Sequence, residues 1–310
     1  MATKDTPLVS ILMPYYEQAD YICASVESVK KQTYENWELI VVDDCSPGRP
    51  ASEALGYSSS DKIKVIRNPE NIGLPRTRNR AAEDARGKLF LPLDGDDEIA
   101  PTYLEKTVSA LLSQGVDAAY TDIQLFGKET GVRRPKPDLV SLLAGHYPCN
   151  TFLYKREVFE SNGGYDPDLF MAEDKDFWLS TVKKGFRFAH VPEPLYRYRR
   201  HEGSLTAKPL NNFAELQRKM TLKHKDVYAE HLPELLVQWT QNSLTGVYSY
   251  ESLEKNYLHL ESEFHKLLEQ YQNLESICEV QQARLGSVKS LAKHLVYNVA
   301  RRAGIVRSRI

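Results

Sequence analysis

The chain has 310 residues, 42% of them hydrophobic and 26% charged, so it can bury a sizeable core and falls among globular proteins rather than disordered or fibrous ones. No run of about 18 apolar residues occurs, and Met1-Ala2-Thr3-Lys4-Asp5 has neither the basic nor the apolar region of a signal peptide, so the expectation is a protein that stays in the cytosol. The net charge of −2 is uneven: residues 281–310 carry seven Arg and Lys side chains and no acid, which leaves −9 on the remainder and suggests a basic end that meets an anionic surface.

Apolar runs alternate with helical patterns through the first half. Residues 8–13 read as a strand, 21–32 as a helix, 37–42 and 63–66 as strands, 75–85 as a helix, 89–93 as a strand, 101–112 as a helix and 116–121 as a strand. This rhythm predicts an α/β domain with a mostly parallel sheet, in which ligands sit at the carboxyl ends of the strands. The polar residues that follow those strands should share one crevice: Pro14, Tyr15 and Tyr16; Asp43, Asp44 and Ser46; and Asp94 to Asp97. The four cysteines, Cys23, Cys45, Cys149 and Cys278, have no paired spacing and read as reduced and structural.

The stretch Leu91-Pro92-Leu93-Asp94-Gly95-Asp96-Asp97 runs an apolar strand into three carboxylates on a glycine-containing turn. Charges this close repel unless a counter-charge sits among them, and carboxylate oxygens suit hard ions such as Mg²⁺ or Mn²⁺. The alternative is a turn at Asp94 and Gly95 with Asp96 and Asp97 capping the next helix. Residues 127–204 are less regular, but Glu173-Asp174-Lys175-Asp176-Phe177-Trp178 opens a helix to residue 184, where acids in the first turn are also favoured by the helix dipole.

From Leu253 a seam recurs at alternating spacings of four and three through Tyr257, Leu260, Phe264, Leu267, Tyr271, Leu274, Cys278, Gln281, Leu285 and Val288, apolar but for the glutamine, the pattern of a coiled coil. One long helix folded back on its own domain is the alternative; self-association into a homo-oligomer is the expectation. Residues 287–306 mix Leu291, Leu295, Val296 and Val299 with the basic side chains, as an amphipathic helix lying in a bilayer interface would. Nucleic acid is not an expected partner, since the tail has no aromatic stacking platform. The expected organisation is an α/β domain over 1–206, a helical connector over 207–249, a coiled coil over 250–288 and a basic amphipathic tail over 289–310.

Taken in order, these motifs resemble the family 2 glycosyltransferases, inverting enzymes of the Rossmann-like GT-A fold that use nucleotide-sugar donors. The resemblance runs from about residue 9 to 206. It rests on Val9-Ser10-Ile11-Leu12-Met13-Pro14-Tyr15-Tyr16, Ser28-Val29-Lys30-Lys31-Gln32-Thr33-Tyr34, Glu38-Leu39-Ile40-Val41-Val42-Asp43-Asp44-Cys45-Ser46, Asn71-Ile72-Gly73 with Thr77-Arg78-Asn79, Asp94-Gly95-Asp96-Asp97, Gly163-Gly164-Tyr165-Asp166, Glu173 to Trp178, and Tyr198-Arg199-Arg200-His201.

The resemblance implies a role for each position. Asp44 would accept from the uracil N–H of a UDP-sugar while Pro14, Tyr15 and Tyr16 wall the base, and Asp43 would be structural. The family usually has glycine where Cys45 stands. Arg78 would lie near the diphosphate, and Asn79 would serve turn or helix packing. Asp94 and Asp96 form the DxD motif for Mn²⁺ or Mg²⁺, with His201 completing the metal or diphosphate site and Arg199 and Arg200 near phosphate. Asp174 would be the catalytic base and Glu173 its supporting acid. The implied activity is transfer of a hexosyl or N-acetylhexosaminyl group to a hydroxyl of a carbohydrate acceptor, lipid-linked given the basic tail, in surface polysaccharide or glycoconjugate assembly on the cytoplasmic face of a membrane. The alternative is a catalytically inactive nucleotide-sugar-binding scaffold that oligomerises through its coiled coil. A nucleotidyltransferase is disfavoured, because Pro14-Tyr15-Tyr16-Glu17 stands where a glycine-rich phosphate loop would be.

Overall fold

The computed structural model describes residues 6–57, 59–144, 150–202 and 213–244; the coiled-coil and tail expectations lie outside them. Four strands, β1 (Val9–Tyr15), β2 (Trp37–Asp43), β3 (Ile63–Arg67) and β4 (Leu89–Pro92), pair in parallel in the order β3-β2-β1-β4. Every residue of β1, β2 and β4 is buried, as continuous apolar runs in a sheet covered on both faces must be. Helices α1 (Ile22–Lys30), α2 (Ala51–Leu55) and α3 (Leu74–Glu83) connect them.

Beyond β4 the sheet becomes mixed. The two-residue strand β5 (Glu98–Ile99) and helix α4 (Tyr103–Ser113) lead to the long strand β6 (Ala118–Gly127), which turns back through β7 (Gly131–Arg133). Helix α5 (Leu139–Leu143) precedes β8 (Leu153–Lys155), which is antiparallel to both β4 and β6, so β6 again runs parallel to β4. Helices α6 (Arg156–Asn162) and α7 (Glu173–Lys183) follow, and β9 (Phe188–Arg200) then runs parallel to β6 and antiparallel to β5. The full order is β3-β2-β1-β4-β8-β6-β9-β5, with β7 paired to β6. The carboxyl ends of β1, β2, β4, β6 and β9 therefore share one side.

One sheet face packs Ile11, Met13, Leu39, Val41, Leu91 and Ile123 into an aliphatic core. The other is aromatic: Phe90, Phe152 and Tyr154 meet Phe159, Phe177 and Trp178 of α6 and α7 at ring separations of 4.7 to 5.7 Å. Burying each large apolar side chain contributes about 1.5–3 kcal/mol, so this aromatic layer holds α7 against the sheet.

Eight predicted elements, β1, α1, β2, β3, α3, β4, α4 and α7, lie within two residues of their predicted bounds; β6 runs six residues beyond its predicted end, and α2, β5, β7, α5, β8, α6 and β9 were not anticipated. Pro192 and Pro194 interrupt β9, and proline cannot donate to a ladder. The structure accommodates both by bowing residues 192–195 out: Thr121 pairs with Val191 and Ile123 with Tyr196. The chain forms two compact units, Met1–Met220 and Thr221–Ile310. Helix α8 (Phe213–Lys223) spans that boundary, and the described part of the second unit holds α9 (Lys225–Glu230) and α10 (Leu232–Leu244).

Candidate active site

At the tip of β1 the chain turns outward. Tyr15 still points into the core, 1% exposed, with its hydroxyl donating to the Arg49 carbonyl at 2.6 Å, whereas Tyr16 is 43% exposed. Of the three residues expected to wall a base, Pro14 and Tyr15 are buried and Tyr16 alone offers an open ring. After β2 the two aspartates diverge. Asp43 accepts from the amides of Ser46 and Ala51 and from Arg67 Nη1 at 2.7 to 3.0 Å, which fixes the turn. Asp44 takes Asn68 Nδ2 and the amides of Ile72 and Gly73, each at 2.9 Å, and so orders the 68–73 loop. Cys45, which follows them, has φ 56°, the left-handed region where glycine is at ease.

The Asp94 to Asp97 turn closes with the Asp97 amide on the Asp94 carbonyl at 3.1 Å. Its three carboxylates have different surroundings. Asp97 is buried at 1% and takes the Tyr196 hydroxyl and the Arg199 amide; burial, then Asp96 and Asp94, push its carboxyl well above the ordinary range. Asp96 Oδ2 meets His201 Nε2 at 2.9 Å, and burial again raises it, followed by Asp94. Asp94 Oδ1 accepts from Arg78 Nη2 at 2.7 Å. The counter-charge that the sequence demanded is thus supplied in part by the protein itself.

The donor types fit Mn²⁺ or Mg²⁺: two carboxylates and an imidazole, with one oxygen of each carboxylate uncommitted to another side chain. Among the described residues, however, no three acidic, histidine or cysteine side chains already converge as a ligand set. His201 is held by Asp96 and by the Tyr21 ring 4.5 Å away, and Arg199 lies over that same ring at 5.1 Å.

Arg78 joins the two acidic motifs. Its guanidinium is 3% exposed; Nη2 reaches Asp94 and Nη1 reaches Glu173 Oε1, while Nε has no partner. The sequence suggested a residue beside the diphosphate, and the structure commits both amino groups of Arg78 to carboxylates. Burial would lower the guanidinium's pKa, but Asp94 and Glu173 more than offset that and hold it charged.

Glu173 and Asp174 open α7, where three acids in the first turn meet the positive end of the helix dipole. Glu173 is 3% exposed and its Oε2 is unpartnered, whereas Asp174 keeps partial exposure and takes the Lys175 amide on Oδ1 at 2.7 Å. Burial pushes Glu173 up to about 7, against the pull of Arg78 and with help from Asp174. Asp174 is raised for the same leading reason. Of the two acids, Asp174 is the one left partly open to solvent.

Three contributors were missed in the sequence. Tyr196 and Tyr21 brace Asp97 and His201 from distant segments, and no local pattern marks them. Lys175 is buried at 4%, and burial lowers its ammonium to about 8 against the pull of Asp174; the cue was its place between two acids. Asn79 holds the Tyr165 backbone through both amide atoms at 2.8 Å, a packing role already expected.

The putative teichuronic acid biosynthesis glycosyltransferase TuaG of Bacillus subtilis is 30% identical over 216 residues, 66% of this chain and 84% of that one. The UDP-Glc:alpha-D-GlcNAc-diphosphoundecaprenol beta-1,3-glucosyltransferase WfgD of Escherichia coli is 30% identical over 221 residues, 69% of this chain and 85% of that one. The structure of S. aureus TarS in complex with UDP-GlcNAc superposes with a TM-score of 0.63 at 22% identity, covering 79% of this chain and 77% of that one, and shows a shared α/β, GT-A-like fold with a mixed, largely parallel sheet. The profile of glycosyl transferase family 2 matches residues 10–178, the span that carries Asp44, Arg78, both DxD acids and the Glu173–Asp174 pair, and the chain belongs to that family.

Proposed function

We propose that this glycosyltransferase inverts the anomeric centre of a UDP-sugar in a single displacement onto a hydroxyl of a lipid-linked carbohydrate acceptor, in surface polysaccharide assembly. The observation that carries the reading is the Asp94–Arg78–Glu173 bridge, buried at Arg78 and Glu173, which ties the DxD turn to the helix bearing the base. A donor diphosphate at Asp94 and Asp96 would then have its anomeric carbon near Asp174. The acceptor oxygen attacks that carbon as its proton passes to Asp174, and the bond to the diphosphate breaks with its electron pair leaving on UDP. Mn²⁺ or Mg²⁺, for which Asp94, Asp96 and His201 supply the donors, would offset the charge that builds on the leaving group. Asp44 and Tyr16 face the uracil in this reading, and Arg78 acts as the positioning residue for both acids. The TarS complexes with UDP-GlcNAc and UDP, and the lipid-linked acceptor in WfgD's name, support the choice of donor and acceptor.

Thermal unfolding with UDP, dTDP, GDP or CDP, each with and without Mn²⁺, tests the donor side. A ligand at about 100 times its dissociation constant adds roughly 2.7 kcal/mol to stability, a clear rise in midpoint. The expected result is a UDP shift that requires Mn²⁺ and disappears in Asp96→Ala. A protein indifferent to every nucleotide would remove the donor reading.

A further inference from the structure

The buried carboxylates Asp43, Asp44 and Asp97 are each anchored by at least one backbone amide. Among the described residues, no backbone amide reaches Asp122 on β6. It is 4% exposed, yet its partners are surface side chains: His190 Nε2 at 2.7 Å, 35% exposed, and Arg134 Nε at 3.5 Å, 80% exposed. Buried Asp43 and Glu38 also pair with exposed arginines, Arg67 and Arg86, but each of those acids is held by a backbone amide as well. Asp122 instead stands opposite the place where β9 bows out, and ladder irregularities of this kind re-aim side chains beside binding sites.

Strand register locates it. Phe90 of β4 and Ala118 of β6 both pair with Tyr154 of β8, and β4 and β6 run in the same direction. Phe90 and Ala118 are thus two strand spacings apart, or roughly 10 Å, and Asp94 and Asp122 each lie four residues further along in the same direction, Asp94 two residues past the end of β4. Both alternate with residues of the aliphatic core, Leu91 and Leu93 on one side and Ala119 and Ile123 on the other, so both face the α7 side of the sheet. A ring stack fixes the imidazole there: Phe152 on Tyr120 at 4.8 Å and 17°, and Tyr120 on His190 at 4.8 Å and 14°. Phe152 in turn meets Trp178 of α7 at 4.7 Å, one helical turn beyond Asp174.

We propose that Asp122, with His190 and Arg134, forms a carbohydrate subsite that grips hydroxyls of the acceptor sugar beside the base. This deepens the glycosyltransferase reading above and rests on it. A carboxylate that accepts next to a guanidinium that donates suits neighbouring hydroxyls, and both bonds are charge-assisted. The 3.5 Å separation of Arg134 from Asp122 is too long for a good hydrogen bond, so a hydroxyl enters without breaking one. His190, clamped by its ring stack, offers its second ring nitrogen to the same ligand.

Saturation-transfer NMR tests the subsite directly, with methyl glycosides of glucose, galactose, N-acetylglucosamine and glucuronic acid added to the full chain in the presence of UDP and diamagnetic Mg²⁺. The expected result is saturation of at least one glycoside by the wild-type protein, lost in Asp122→Asn and weakened in Arg134→Ala. Arg134→Ala removes a side chain that is 80% exposed, so it decides the matter if Asp122→Asn unfolds. Equal glycoside signals in all proteins, or none with wild type, overturn the subsite. UDP resonances are read in the same spectra, and their failure to saturate counts against the nucleotide-sugar reading alone.

Discussion

At single residues the structure sets two opposing kinds of strain. Cys45 occupies the left-handed region at φ 56°, which costs a non-glycine residue about 1–2 kcal/mol. Glycine there removes that strain but loses about 0.5–1 kcal/mol of chain entropy on folding. Cys45→Gly is therefore expected to stabilise the protein slightly, raising the midpoint by roughly 2–4 °C for each kcal/mol gained; a lowered midpoint would show that the thiol's contacts with Pro69 and Arg67 outweigh the strain. Glu173 is the electrostatic counterpart. Its carboxyl moves from 4.5 to about 7 on folding, so the folded state holds an extra proton across that interval and stability falls as pH rises through it. Glu173→Gln should flatten this slope in unfolding midpoints measured from pH 4.5 to 7, and an unchanged slope would refute the assignment. Asp174, also raised, should give kcat/KM an acid limb above the ordinary carboxylate range, and Asp174→Asn should lower kcat by about 10² to 10⁴.

Between elements, the Arg78 bridge and the Gly164 turn set where α7 begins. Removing Arg78 leaves Glu173 buried without its partner, a loss that typically costs about 3–5 kcal/mol. Protonation of Glu173 relieves part of that cost, so Arg78→Ala should be more destabilising at pH 8 than at pH 5, and equal losses at both would mean that the bridge to Glu173 contributes little. Gly164 has φ +78° and a Cβ there would lie 2.8 Å from Asn79 Oδ1, the atom that holds the Tyr165 amide. The strands and the DxD turn were legible because each is a continuous local pattern, apolar runs followed by clustered acids. The bridge was not, because Arg78 and Glu173 are 95 residues apart and nothing in the spacing of either motif names the other. Strand β9 was hidden for a different reason: its two prolines argue against a ladder, and only the skip opposite Asp122 admits them. The pocket role expected of Tyr15 failed on strand parity, since alternate residues face opposite ways and its neighbour Tyr16 took the open side.

For the whole molecule, the family match ends at residue 178 of 310, while the basic charge gathers in residues 281–310. Catalysis and attachment are therefore separable proposals. Among the described residues no helix is long and apolar enough to cross a membrane. An amphipathic tail would attach at the interface instead, each basic side chain near an anionic surface contributing about 1 kcal/mol and the apolar face adding burial. Charge contributions of this kind are screened within about 10 Å at 0.1 M salt, whereas apolar burial is not. The full chain should co-sediment with liposomes containing phosphatidylserine, less so at high salt, and a chain lacking residues 287–310 should stay in the supernatant while keeping its UDP-dependent thermal shift. Retention of the truncated chain on the liposomes would place any membrane contact elsewhere. Binding of the full chain that ignores salt would make the apolar face, rather than the seven basic residues, the anchor.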